Sequence, residues 1–351
     1  MKVVLLFPSF YSLKSLFENA FKAKGVDVVS TDFRDFYPNW KQKVQGLLNS
    51  LPGKAPATLH SLYLKDINNR YISFIKTEKP DYVLLYNNGN LLPQAIDEIT
   101  KICPVYNYLG DYPLFLDSRF ALQTMMKCNH IFCPDTYWVD KLKKMGKENV
   151  SYLIVGYDKN INHPINFAEK AKGDYSYSSD LLFVGRGYKH SSYGYKRALF
   201  YNSFTNLDIR IYGREWEYWF EYFPKLKEKY HPIDKYLTFE YINQLCNNSK
   251  IYPIDLNPGL INGLHIRIFD AIGSGILPLV EYSRDIDIVF HGINLPIIKN
   301  YREASEIAKH YLNREDERIA LITKLKNYVD FNYSADIAVN KIIDVFNRQI
   351  H

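Results

Sequence analysis

The sequence predicts an α/β protein with two parallel-sheet halves, and three observations carry the prediction. Apolar runs of strand length recur along the chain. Segments of helical spacing separate them. One polar stretch without a sustained period, NHPINFAEKAKGDYSYSS at 162–179, reads as a linker and divides the series in two. Strands that alternate with helices build parallel sheets covered on both faces, so they read as nearly continuous apolar runs. A chain of 351 residues has room for two such halves, and its 47% of hydrophobic residues can give each a core.

In the first half, strands are expected at VVLLF (3–7), YVLLY (82–86), VYNYL (105–109), HIFCP (130–134) and YLIVG (152–156). Helical spacing marks LKSLFENAFKAKG (13–25) and DTYWVDKLKKMG (135–146), where Gly25 and Gly146 fall at expected helix C-caps. In the second half, strands are expected at DLLFVG (180–185), DIRIYG (208–213), IYPIDLN (251–257), ILPLVEY (276–282) and LPIIKN (295–300). Helices are expected at 195–204, 238–249, 263–273 and 301–313, with two more near 315–329 and 335–349. No repeat or low-complexity tract stands out.

The net charge of +6, from 44 basic and 38 acidic residues, is mild and spread along the chain. It suits a phosphate-bearing ligand or an anionic membrane surface and gives little support for nucleic acid. Cys103, Cys128, Cys133 and Cys246 have neither metal-ligand spacing nor disulfide density, as expected of reduced thiols. The apolar run in MKVVLLFPSF is too short for a signal-peptide core, and no run approaches the roughly 20 residues that span a bilayer. The expected setting is cytoplasmic, with peripheral contact at the inner membrane face as its variant.

The stretch GLHIRIFDAIGSGILPLVEY (263–282) reads as a helix, a glycine elbow and a buried strand. Leu264, Ile268 and Ile272 make its buried stripe, and Gly263, Arg267, Asp270 and Ser274 a second stripe. The plain reading of Arg267 and Asp270 is an intrahelical ion pair worth a few tenths of a kcal/mol. Their context argues for more. Gly273, Ser274 and Gly275 permit a close backbone approach, and ligands of open α/β sheets gather at the strands' carboxyl ends. A carboxylate there can accept from ribose hydroxyls, and an arginine can hold phosphate.

The pattern R-x-F-[E/D]-A-x-G-x-G at 267–275, followed by an apolar strand, resembles the donor-site signature of GT-B glycosyltransferases, above all the CgeB-like group. DLLFVG, Arg197 on the next helix, IRIYGREW (209–216), the strand ending in Asn257, and the YREASEIAKHYL helix agree in order. The resemblance covers about 180–345; upstream, only LGDYP (109–113) is similar. It implies two Rossmann-like domains facing across a cleft. Residues 1–165 would be the acceptor domain and 166–334 the nucleotide-sugar donor domain, and a last helix, 335–351, would cross back to the first. It implies sugar transfer from a nucleoside diphosphate, UDP or GDP, to a saccharide, protein or lipid-linked acceptor, without metal or other cofactor. Asp270 stands where the family has a ribose-binding glutamate. Asn262 stands where retaining relatives carry a second glutamate, which leaves the stereochemistry open.

Further donor-side candidates are Gly185, Arg186 and Gly187 after DLLFV, with Lys189 and Arg197, as diphosphate contacts; an ordinary strand-to-helix turn and a surface arginine are the plain alternatives. His265 can touch phosphate or base, or be a satisfied surface histidine. On the acceptor side, Asp111 is the candidate catalytic base, against a turn aspartate before Pro113. Asn87, Asn88 and Gly89 can bind an acceptor sugar or simply turn the chain. Asp285 and Asp287 spell D-x-D, but their place at a helix start argues against a metal site. EWEYWFEYF (215–223) is an aromatic cluster for packing, interdomain contact or a membrane surface. Two other functions remain open: a nucleotide-sugar epimerase of the same architecture, and a non-catalytic nucleotide-sugar-binding scaffold.

Overall fold

A computed structural model describes residues 1–9, 12–37, 39–50, 54–87, 90–114, 120–166, 179–233 and 237–348. The chain forms two compact units, Met1–Ile154 with Ala335–His351, and Val155–Ser334. Unit 1 runs β1 (Lys2–Leu6), α1 (Ser12–Ala23), β2 (Asp27–Thr31), α2 (Asn39–Ser50), α3 (Lys54–Glu78), β3 (Tyr82–Tyr86), α4 (Pro93–Ile99), β4 (Val105–Tyr108), α5 (Ala121–Lys127), β5 (His130–Cys133), α6 (Thr136–Lys144) and β6 (Val150–Tyr152). Its six strands pair in parallel in the order β2-β1-β3-β4-β5-β6.

Unit 2 runs β7 (Ser179–Val184), α7 (Ser192–Asn202), β8 (Ile209–Gly213), β9 (Tyr230–Pro232), α8 (Phe239–Asn247), β10 (Ser249–Ile254), α9 (Arg267–Ser274), β11 (Leu277–Glu281), α10 (Asp285–Val289), β12 (Ile297–Ile298), α11 (Ala304–Leu312) and α12 (Glu315–Asn332). Its sheet is also parallel, ordered β12-β11-β10-β7-β8-β9. The strand order reverses between β7 and β10, and in unit 1 between β1 and β3. Crevices at such switch points, outside the carboxyl ends of the strands, are where open α/β sheets bind ligands.

The last helix, α13 (Ala335–Arg348), belongs to unit 1. Its Phe346 ring lies 4.3 Å from the Tyr82 ring and 4.4 Å from that of Tyr106. The opposite sheet face packs Val83, Leu85 and Val105 against Ile67, Tyr71 and Ile75 of α3 and Ile96 and Ile99 of α4.

Several elements depart from the expected pattern. β2 is an edge strand, DVVST, only partly buried, so it lacks an apolar run. The buried stripe of α3, Ile67, Tyr71 and Ile75, occupies only its later turns, and the polar start hides the helix in the sequence. The strand expected at 152–156 lies at Val150–Tyr152, because its pairing with β5 ends at Cys133–Tyr152.

The expected linker falls mostly outside the described residues. Its first part, 162–166, is tied down. Asn243 and Asn247 of α8 accept from the His163 and Ile165 amides, and both donate to the His163 carbonyl.

The helix expected from 263 begins at Arg267. Residues 257–266 form a loop, and the Arg267 amide donates to His265 Nδ1, which satisfies one of the helix's first N–H groups. α9 ends in a Schellman motif. Gly275 has φ +80°, its amide donates to the Ile272 carbonyl, and that of Ile276 donates to Ala271. The glycine elbow therefore precedes β11 and sits at that strand's amino end. It lies one helix length, about 12 Å, from the carboxyl-end crevice.

Candidate functional site

At the switch point of unit 2, β7 ends in Val184 and the chain turns through Gly185, Arg186 and Gly187. This turn is held from two sides. The Gly185 amide donates to the Tyr212 carbonyl and that of Gly187 to the Arg214 carbonyl, each at 2.8 Å. The indole N–H of buried Trp216 donates to the Gly185 carbonyl at 2.8 Å, and that of Trp219 to Gly187 at 2.7 Å. The expectation that the glycine amides meet a diphosphate is corrected accordingly, since both donate inward. The tryptophans of EWEYWFEYF clamp the turn, so their part of the cluster is packing.

Arg197, expected as a diphosphate contact with a surface arginine as the plain alternative, is corrected on both counts, since it is buried and its nitrogens are taken up within the protein. Arg197 is 1% exposed, and Nε and Nη2 bind both oxygens of fully buried Asp255 at 2.9 and 3.1 Å. Nη1 donates to the Arg186 carbonyl, Nη2 also reaches the Tyr193 hydroxyl, and Tyr201 donates to Asp255. Burial alone would raise the Asp255 pKa; the charge and hydrogen bonds of Arg197 outweigh it and hold the carboxyl below its ordinary value. Arg197 thus braces the turn from beneath. Asp255 was not singled out in the sequence, where its only signal is an acid ending a buried apolar strand.

Arg267 is different. Its guanidinium lies against the Gly185 backbone, so a Cβ on Gly185 would stand 2.9 Å from Nη2. Its Cζ sits 5.2 Å from the Phe183 ring centroid. Nη1 is buried and has no hydrogen-bond partner. A buried guanidinium nitrogen left unpaired is costly, and an anion at this position would satisfy it. His265, whose Nδ1 is occupied by the Arg267 amide, carries its proton on Nε2 when neutral. Burial first, and then the Arg267 charge, push its pKa well below the usual histidine value, so it is neutral at physiological pH. Asp270 lies on the next turn of α9, half-buried. Burial raises its pKa to about 7; the Arg267 charge opposes the rise, and Asp158 adds to it.

The remaining sequence candidates scatter. Arg186 is exposed and paired with Glu215, which adopts φ +68°. Lys189 is exposed. Asn257 makes a turn, accepting from the Gly259 amide, and the Asn262 carbonyl accepts from the Asp285 amide. Gly273, Ser274 and Gly275 do not join the site. A Cβ on Gly273 would meet the Tyr157 ring at 2.3 Å, Ser274 accepts from Asn162, and Gly275 abuts Pro164. Asp285 is fully buried while Asp287 is exposed and accepts from Tyr282, so the D-x-D carboxylates do not converge. Beside the clamped turn is a cavity of about 280 Å³, lined by Gly185, Arg186, Gly213, Arg214, Ile233 and Ile242, among others.

In unit 1, Asn87 and Asp111 meet at the carboxyl ends of β3 and β4. Asn87, at φ +54°, accepts from the Gly110 and Asp111 amides at 2.9 and 3.3 Å, and its Nδ2 donates to the Asp111 carboxylate at 2.9 Å. Asn88 and Gly89 lie outside the described residues.

Residues 196–344 match the family model described as Glycosyl transferase-like. No curated protein matches the sequence. Among solved structures, sucrose-phosphate synthase of Thermosynechococcus elongatus superposes with a TM-score of 0.68 at 7% identity, over 100% of this chain and 99% of that one. Anabaena HepE, solved with UDP and glucose, gives 0.66 at 12% identity over 99% and 100%. A Listeria monocytogenes chain assigned as a UDP-N-acetylglucosamine 2-epimerase gives 0.58 at 13% identity over 99% and 96%. The chain therefore has the GT-B glycosyltransferase fold, and its segment 196–344 is glycosyl transferase-like.

Proposed function

We propose that the protein transfers a sugar from a nucleoside-diphosphate donor, UDP- or GDP-linked, to a saccharide, protein or lipid-linked acceptor. The observation that carries this reading is the buried, unpartnered Nη1 of Arg267 against Gly185 at the switch point of unit 2. The donor's diphosphate would meet Arg267 and the Nε2–H of His265. Its ribose would meet Asp270, and its base the cavity beside Gly213 and Ile233. As the bond to the sugar breaks, negative charge grows on the diphosphate, and fixed donors stabilise that charge more than they stabilise the ground state. In this proposal Arg267, His265 and the positive end of α9 supply that field without a metal. For transfer with inversion, Asp111 would take the acceptor's hydroxyl proton. The four cysteines are buried and unpaired, which suits a reducing, cytoplasmic setting.

The test is a thermal-shift screen of UDP, GDP and their sugars, followed by product analysis with and without acceptor. A nucleotide should raise the melting temperature of the wild type and not of Arg267→Gln. An absence of any shift at millimolar nucleotide would refute the donor site. An epimerised sugar formed from donor alone would replace transfer with the epimerase reading. Nucleotide binding without turnover across a broad acceptor panel would leave a scaffold.

A further inference from the structure

On the carboxyl-end side of unit 1, where α2 follows the loop after β2 and Asn68 of α3 binds the loop after β3, the α2–α3 pair exposes large apolar side chains. On α2, Trp40 is 62%, Val44 47% and Leu47 63% exposed; at i, i+4 and i+7 they form one stripe. On α3, Leu59 and Leu62, at i and i+3, are 47% and 58% exposed. The core takes Ile67, Tyr71 and Ile75 from the later turns of α3, so its first turns run on past the packed face.

The charge on α2 itself is one-sided. α2, residues 39–50, carries Lys41 and Lys43 and no aspartate or glutamate; α3 carries Lys65 beside Asp66, which pairs with Arg70, and the nearest acid before α2 is Asp35. Lys41 and Lys43 are exposed, and the Lys41 ammonium lies 5.7 Å from the Trp40 ring centroid, at the edge of the stripe. A helix with apolar residues along one line and lysines beside it, without acids, has the chemistry of an interfacial helix that lies on an anionic bilayer. A second copy of the chain would bring the same positive charge to the contact and be repelled.

We infer that the α2–α3 surface docks the protein onto an anionic phospholipid membrane, with Trp40, Val44 and Leu47 entering the headgroup–acyl boundary and Lys41 and Lys43 meeting lipid phosphates. This inference rests on unit 1 alone and is independent of the donor assignment.

The molecule carries its own reporter. Trp138, Trp216 and Trp219 are buried, and Trp40 is the exposed member of the four tryptophans. The full chain is mixed with phosphatidylcholine vesicles, with and without phosphatidylglycerol, and followed by tryptophan emission and co-sedimentation. A blue shift and sedimentation are expected only with phosphatidylglycerol, and high salt should weaken both. Trp40→Phe should still sediment but lose the blue shift. Lys41→Gln with Lys43→Gln should weaken vesicle binding about 30-fold. Leu47→Glu should abolish it while the melting temperature holds, since Leu47 already faces water. Equal binding to neutral vesicles, binding unaffected by Leu47→Glu, or no binding to either vesicle would each overturn the inference. So would light scattering that shows a dimer, dissociated by Leu47→Glu, without membrane binding.

Discussion

At the switch point of unit 2, between β7 and β10, stand Arg197, held by Asp255, and Arg267, with one guanidinium nitrogen buried and unpaired. At the carboxyl ends of β2, β3 and β4 in unit 1 stand Asp32, Asn87 and Asp111, whose oxygens accept from neighbouring amides. The two sheets have six parallel strands each, and the strand order of each reverses once, the place where open α/β sheets bind ligands. The difference teaches that the fold supplies the place and the loop residues supply its sign. Unit 2 presents a guanidinium with one buried nitrogen unpaired; unit 1 presents a carboxylate positioned by a neighbouring amide group.

The largest effects should separate the two units. Arg267→Ala should lower kcat/KM by about 10²–10³-fold and remove the nucleotide's thermal shift, because an electrostatic donor is lost in both the ground and transition states. Asp111→Asn should cut transfer by about 10²-fold or more while leaving the nucleotide shift intact. If Asp111→Asn also removed the shift, the division of labour between the units would fall.

Stability gives a second contrast. Arg197→Met leaves the buried Asp255 charge without its cation, at a cost of about 3–5 kcal/mol. Adding Asp255→Leu should recover most of the loss, since an apolar pair of similar size removes the stranded charge. In unit 1, Phe346→Ala opens a cavity between Tyr82 and Tyr106 and should cost about 3–5 kcal/mol. Denaturant melts of the variants measure both. A mild Arg197→Met would mean that the buried pair is not what braces the glycine turn.

Much of the fold was legible because parallel strands are buried on both faces and so declare themselves as apolar runs; YVLLY and DLLFV are of this kind. DVVST was not, since an edge strand needs no such run, nor was α3, whose core stripe begins only at Ile67. Of the candidate site, the shared side of Arg267 and Asp270 was legible, because helical spacing puts both on one side of α9. The sequence misled at Gly273–Gly275. Sequence adjacency suggested a shared crevice, but α9 carries the chain from the carboxyl end of β10 to the amino end of β11, so the two ends of one motif lie at opposite edges of the sheet. Asp255 stayed hidden because its role depends on Arg197, which is 58 residues away.

Asp270 allows a titration that sharpens the donor-site reading. With its pKa near 7, about a tenth of the carboxyl is ionised at pH 6 and about nine-tenths at pH 8. If the ribose hydroxyls donate to the ionised form, affinity for the nucleotide sugar should rise up to about tenfold across that range. The donor's diphosphate does not titrate there, and His265 stays neutral. The stability effect has the opposite sign. A carboxyl whose folded pKa lies above its unfolded value binds more protons when folded, so this contribution falls as pH rises from about 4 to about 7. Asp270→Asn should flatten the affinity profile and melt higher than wild type at pH 8. Calorimetric titration with the donor at both pH values checks the first, and a melt checks the second.

The smallest effect concerns Asn87. Asn87→Gly keeps the left-handed φ of +54° at no steric cost and removes the three contacts to Gly110 and Asp111. The loss should be about 1 kcal/mol of stability, the net worth of a hydrogen bond or two. If Asp111 acts as the base and Asn87 only aims it, kcat should fall several-fold with KM for the donor unchanged. An unchanged kcat would remove Asn87 from the reaction and leave it a turn residue. A raised donor KM would instead tie this loop of unit 1 to the nucleotide, reversing the separation that the Arg267 and Asp111 variants are designed to expose.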